Sequence, residues 1–121
     1  MELQRLDGEF TVCQIEQIKQ IDFTGEFVFL SKTDDEISLL CKSAHIPLGV
    51  TASEANWKGL KICGTLDFGM IGVIANIADI LKKANISIFV VSTYNTDYIF
   101  VKSHNFDKSI QALTHHGYAI R

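Results

Sequence analysis

Two short stretches concentrate the polar side chains and backbone freedom that small-molecule recognition requires. The first is Gly64-Thr65-Leu66-Asp67-Phe68-Gly69-Met70-Ile71-Gly72. Glycines around a helix start let a ligand approach the backbone closely, and the unpaired amides there attract a carboxylate. A glycine-containing turn needed only for chain reversal has the same composition. The second is Ser92-Thr93-Tyr94-Asn95-Thr96-Asp97-Tyr98, rich in hydroxyl, amide and carboxylate groups and set between two apolar runs. A hairpin turn ordinarily takes two to five residues and usually a glycine. None occurs here, and the density of hydrogen-bonding side chains suits a small polar ligand. A solvated turn is the plainer reading of the same residues.

The chemistry of catalysis has no comparable foothold. No GxSxG, HExxH, GxxxxGK[ST] or GxGxxG pattern occurs. Of the four histidines, the adjacent His115 and His116 point in different directions on a helix, which makes joint ligation of one metal awkward. Both suit the negative pole of a helix end. His45 has no cysteine or carboxylate at a ligand spacing. Cys13, Cys41 and Cys63 are odd in number, lack CxxC spacing and lie in apolar runs, so they read as small buried hydrophobes and reduced thiols of a cytoplasmic protein. Nothing places them in the electropositive setting that makes a reactive thiolate. No enzymatic activity, metal or cofactor is expected.

The elements that must position the two stretches follow from periodicity. Met70, Ile71, Ile74, Ile77, Ala78 and Leu81 recur at three and four residue steps, which predicts a helix over 70–83, with Asp67 able to accept its first amides and Asn85 ending it. A shorter helix is expected over 106–115, opened by Asn105 and stopped by Gly117. Strands are expected at 60–66, 86–92, 98–102 and 118–120. The order strand, helix, strand, strand, helix, strand is the split βαβ pattern of the ferredoxin-like fold, α+β, with helices on one face of an antiparallel sheet. The first half reads as a degenerate version: a strand at 9–15, a short helix or turn at 16–21, a hairpin of 27–31 with 37–41 around Thr33-Asp34-Asp35, and at most one helical turn at 43–50. Phe29-Leu30-Ser31 through Lys42-Ser43 echoes Val90-Val91-Ser92 through Lys102-Ser103, with the serines 61 positions apart and the second copy one residue shorter. A duplication is expected, with units at 1–56 and 57–121.

At 121 residues and 47% apolar content the chain suits one compact domain or two half-size units sharing a core. A net charge of -3 argues against nucleic acid or anionic membrane as partner. No run reaches the roughly 18 apolar residues of a membrane span, and the first five residues show no secretory signal.

These residues resemble a known family. Leu66-Asp67-Phe68, Gly72-Val73-Ile74-Ala75, Ala84-Asn85-Ile86-Ser87-Ile88-Phe89 and Ser92 through Tyr98 are similar to the ACT domains, within the branch of small bacterial tandem-ACT proteins related to the CASTOR arginine sensors. In the first half, Gly8-Glu9-Phe10 and Thr33-Asp34-Asp35-Glu36-Ile37-Ser38 also fit. The resemblance implies two tandem ferredoxin-like units and a free amino acid, basic in the arginine sensors, bound at an ACT–ACT interface, often in a homodimer. It implies that the loop Asp67, Phe68, Gly69, Met70, Ile71 and Gly72 holds the ligand's carboxylate and amino group. It also implies that Asp97 meets a basic side chain. Ser92, Thr93 and Asn95 are expected to give neutral hydrogen bonds, and Tyr94 completes the expected set. Many family members carry glycine where this chain has Asn85, and the arginine sensors have four units rather than two, so a full site is expected to require a second copy. The competing expectation is a regulatory or protein-interaction module without a ligand. An RNA reader lacks both its aromatic signature and a basic charge.

Overall fold

In the computed structural model, which describes residues 1–64 and 72–121, the apolar stripe of the long periodic segment forms helix α1 (Val73–Lys83). Its start differs from expectation. Gly72 is the N-cap, in the left-handed region at φ 85, and no side chain caps the helix. Asp67 lies outside the described residues. At the other end Asn85 adopts φ 63, the left-handed stop its side chain tolerates, and the Ile86 amide donates back to the Leu81 carbonyl at 2.9 Å. Helix α2 (Phe106–His115) has the expected bounds and ends at Gly117, φ 96. Asn105 precedes it as the N-cap without a side-chain cap bond, while Ser109 Oγ donates to the Asn105 carbonyl.

The chain divides into two units, Met1–Asp7 with Lys58–Arg121, and Gly8–Trp57. The strands are β1 (Glu2–Arg5), β2 (Phe10–Ile15), β3 (Val28–Lys32), β4 (Ile37–Lys42), β5 (Ala52–Ile62), β6 (Phe89–Ser92), β7 (Asp97–Lys102) and β8 (Ala119–Ile120). Residues 52–57 of β5 fall in one unit and 58–62 in the other.

The first unit is a ferredoxin-like α/β fold with strand order β6-β7-β5-β1-β8. Its core joins Leu3, Leu60, Ile62, Ile99 and Val101 of the sheet to Ile77, Ile80 and Leu81 of α1 and Phe106 and Leu113 of α2. Strand β1 was not anticipated. It runs antiparallel to β5, with Leu3 opposite Ile62, and parallel to β8, with Glu2 opposite Ala119. Its residues carry only one strongly apolar side chain at an inward position, Leu3, so sequence alternation had little to register. The first seven residues therefore group with the C-terminal segment and not with 8–56.

The Gly8–Trp57 unit has strand order β3-β4-β2-β5, antiparallel in every pair. Single 3₁₀ turns, Ile18–Gln20 and Ser43–His45, occupy the links after β2 and β4. Cys13, Ile15, Leu39 and Cys41 form its core, with Ile21, Val28, Ile46 and Val50 packed against them. The expected strand at 60–66 begins earlier, at Ala52, and ends at Ile62. The expected boundary near Asn56 falls inside β5, where Asn56 has φ 70 and the register against β2 shifts between Phe10–Trp57 and Val12–Glu54. That is a β-bulge, which bends a strand without ending it.

The two hairpins match in register, and the spacing is 60 throughout rather than 61. Phe29 opposes Leu40 and Leu30 opposes Leu39 in one; Phe89 opposes Phe100 and Val90 opposes Ile99 in the other. Lys32–Ile37 corresponds to Ser92–Asp97. Neither copy is shorter, because the turns Thr33–Glu36 and Thr93–Thr96 are equal in length. Each is closed by the first threonine's amide donating to the fourth residue's carbonyl at 2.9 Å.

Candidate functional site

One end of the sheet in the first unit gathers most of the chain segments that sequence singled out. The Cys63 amide donates to the Glu2 carbonyl at 2.9 Å and the Ala119 amide to the Met1 carbonyl at 3.1 Å, so β1 and β8 begin where β5 ends. The β6–β7 turn joins them there. Thr96 is buried, and its Oγ1 donates to the Ile62 carbonyl at 2.8 Å, fixing the turn to the last residue of β5. Gly72 lies across a cleft of ≈350 Å³ from Tyr118, with Met1, Asn76 and His116 also on its walls.

Of the expected site residues, Gly72 is exposed at the N-cap of α1. Asp67, Phe68, Gly69, Met70 and Ile71 lie outside the described residues. Ser92, Thr93, Tyr94, Asn95 and Asp97 all lie on the β6–β7 hairpin. Within it, Ser92 Oγ donates to an Asp97 carboxylate oxygen, and Thr93 Oγ1 donates to the Thr96 carbonyl at 3.0 Å. Tyr94 is exposed to 81%. None of these hairpin residues lines the cleft that holds Gly72.

Asn76 and Tyr118 line the cleft without having been singled out by sequence, and His116, read there only as a helix-end histidine, lines it too. Asn76 is in the first turns of α1, where its amide donates to the Gly72 carbonyl at 2.8 Å and its side chain Nδ2 donates to the Tyr118 hydroxyl. His116 is positioned by a 2.8 Å bond between Nδ1 and the Ala112 carbonyl. The available signal was the break in the apolar stripe at Asn76. It marks an exposed helix face and says nothing of the strand that meets it. The His115 and His116 rings meet edge to face, centroids 5.4 Å apart, so the two side chains do not diverge as expected; His116 is the C-cap, past the last helical residue. Among the described residues no group of three or more His, Cys, Asp or Glu comes together to hold a metal ion. Nor is any helix there long and apolar enough to cross a membrane.

Two of the three thiols are inert by environment, and the expectation of burial fails for the third. Cys13 and Cys41 are buried, and Cys63 is partly exposed. Burial pushes the Cys13 thiol up, and burial together with the neighbouring Cys13 pushes Cys41 to about 11. At pH 8 that leaves roughly two orders of magnitude less thiolate than an ordinary cysteine has. Iodoacetamide is expected to modify Cys63 first and the other two only as fast as the fold opens, with peptide mass spectrometry giving the order. Cys41 labelling as fast as Cys63 in the folded protein would contradict this account.

The comparisons with known proteins agree with the fold. The sequence profile of the ACT domain matches residues 52–115. No curated protein matches the chain by sequence. Among solved structures, a protein from Agrobacterium tumefaciens is 28% identical with a TM-score of 0.86, covering 99% of this chain and 91% of its own. A Vibrio cholerae protein of unknown function, described as a possible transport protein, is 20% identical with a TM-score of 0.76, covering 92% and 85%. The aspartate kinase of Clostridium acetobutylicum, an allosteric enzyme, is 15% identical with a TM-score of 0.65 over 91% of this chain and 32% of its own. With the profile spanning more than half of its length, the chain belongs to the ACT domain family, whose domains are regulatory, ligand-binding modules.

Proposed function

We propose that this chain is a non-catalytic sensor of a free amino acid, built from two ACT-type units in tandem whose sequence boundary lies near Asn56. In this reading the Gly8–Trp57 unit is a copy whose helices have shrunk to the 3₁₀ turns. The constant 60-residue spacing of the two hairpins and their matched registers support it. Kinship with the CASTOR arginine sensors, and a homodimer that completes the site, belong to the same reading.

The observation that carries the function is that the α1 N-terminus at Gly72 and the hydroxyl-rich β6–β7 hairpin both lie toward one end of the first unit's sheet, the hairpin outside the cleft that holds Gly72. In this reading backbone amides of residues 68–72, which precede α1 in sequence, receive the ligand carboxylate. Asp97 or Asp67 takes an ammonium or guanidinium, with Ser92, Thr93, Tyr94 and Asn95 supplying neutral bonds. Each charge-assisted bond contributes about 1.5–3 kcal/mol, and two or three together yield an affinity in the micromolar range after association costs.

Calorimetry with each of the twenty amino acids is expected to give one or a few ligands, and Asp97→Ala to weaken a basic ligand about tenfold or more. Silence from all twenty defeats the reading. A second reading rests on the Ser92–Asp97 bond, which closes the hairpin upon itself. It makes the chain a regulatory interaction module without a ligand, and silent calorimetry alongside capture of one defined partner supports that alternative.

A further inference from the structure

The cleft beside Gly72 carries hydrogen-bonding side chains that the amino-acid reading does not use. Asn76, His116 and Tyr118 come to its walls from α1, the end of α2 and the entry to β8. Their own bonds fix which groups are left over. Asn76 Nδ2 donates one hydrogen to the Tyr118 hydroxyl, so the hydroxyl's own proton remains to be donated. The amide keeps its second hydrogen and its Oδ1 acceptor. His116 Nδ1 lies 2.8 Å from the Ala112 carbonyl, which can only accept, so Nδ1 carries the proton. Nε2 of the neutral ring is then an acceptor.

The cleft thus offers both donors and acceptors, yet among the described residues no acidic side chain, lysine or arginine stands on its walls. An ionic ligand finds no fixed opposite charge there, whereas a neutral one needs none. Tyr118 and His116 are also aromatic rings, on which heterocycles stack. At Gly72 and Gly117 a Cβ would meet nothing within 4 Å, so the backbone is open to close approach. The volume of ≈350 Å³ lies at the small end of the range for ligand pockets.

We propose that this cleft binds a neutral nucleobase of the adenine class. An asparagine amide sets an acceptor beside a donor, the pairing that matches the N6 amino group and N7 of adenine. A further N–H of the base suits His116 Nε2, and a ring nitrogen suits the Tyr118 hydroxyl. The site is separate from the amino-acid reading, so silence from all twenty amino acids leaves it standing.

Two-dimensional NMR of the full chain without added amino acid tests it. Adenine is expected to shift the His116 ring and Asn76 side-chain amide signals with a Kd of about 0.1–1 mM, the scale open to so small a ligand. Uracil, which lacks an amino group, is expected to bind about tenfold more weakly. Asn76→Ala and Tyr118→Phe are each expected to weaken adenine about tenfold. Asn76 is exposed and Tyr118→Phe keeps the ring, and thermal melts matching the parent verify that both variants fold. AMP separates the base from its phosphate and is expected to bind no more than about threefold tighter than adenine. Signals unmoved by about 5 mM adenine, uracil binding as well as adenine, or an affinity indifferent to both substitutions overturns the proposal. So does AMP binding about tenfold tighter than adenine, which makes phosphate the recognised group, or a free amino acid shifting the same signals.

Discussion

Gly59→Ala is expected to lower stability by about 2 kcal/mol, read as a fall of roughly 8 °C in Tm. The position lies on β5, on the side of the sheet away from the helices, since its neighbour Leu60 points into the helix-side core. A methyl group there would meet Phe100 Cε1 at 2.6 Å and Leu6 Cδ1 at 3.0 Å. Phe100 is fully buried and packs edge-on against Phe89, centroids 6.5 Å apart, so its ring has no easy retreat. The Gly59 carbonyl also accepts the Leu6 amide at 3.0 Å, tying the strand to the segment after β1. The cost is therefore steric, and a double-mutant cycle isolates it. With Phe100→Leu already present, Gly59→Ala is expected to cost less than about 1 kcal/mol. An unchanged cost in that background would mean that the alanine disturbs something other than the ring.

Leu81→Ala is expected to remove about 3–4 kcal/mol, the middle of the range for a fully buried leucine left as a cavity. Leu81 is 0% exposed in the core where α1 meets the sheet. Its carbonyl also accepts the amides of Ala84, at 3.1 Å, and Ile86, at 2.9 Å, so the helix end and the entry to the next strand depend on its placement. Against a total stability of about 5–15 kcal/mol, the variant is left near the margin of folding. Urea titration followed by circular dichroism measures it. Lys82→Ala, at the next and exposed position of the helix, serves as the comparison and is expected to stay within about 0.5 kcal/mol of the parent. A Leu81→Ala cost no larger than the Lys82→Ala cost would show that α1 does not anchor the core.

These two side chains illustrate unequal legibility. Leu81 was readable because helical periodicity repeats every three or four residues, and each apolar position repeats the same message. Gly59 was not, because the reason for a missing side chain is the ring of Phe100, forty-one positions away in sequence. The same contrast holds at the candidate site. The hairpin polar stretch announced itself by composition. Thr96 belonged to that stretch, yet its hydroxyl is buried on the Ile62 carbonyl and holds the turn in place. Asn76 and Tyr118 meet across forty-two positions, on a helix face and a strand entry that no local pattern connects.

By itself the sequence determined the order of elements from residue 58 onward, the bounds of α2, the stop of α1 at Asn85, the hairpin repeat and the burial of Cys13 and Cys41. All are consequences of short-range periodicity, turn chemistry and apolar content, which act within a few residues. Only the tertiary structure decided that β1 inserts between β5 and β8, that β5 runs on from Ala52 through a bulge, and that the hairpins correspond at a spacing of 60. Strand pairing joins distant segments through backbone hydrogen bonds that every residue type except proline makes alike, so a strand's local sequence does not name its partner.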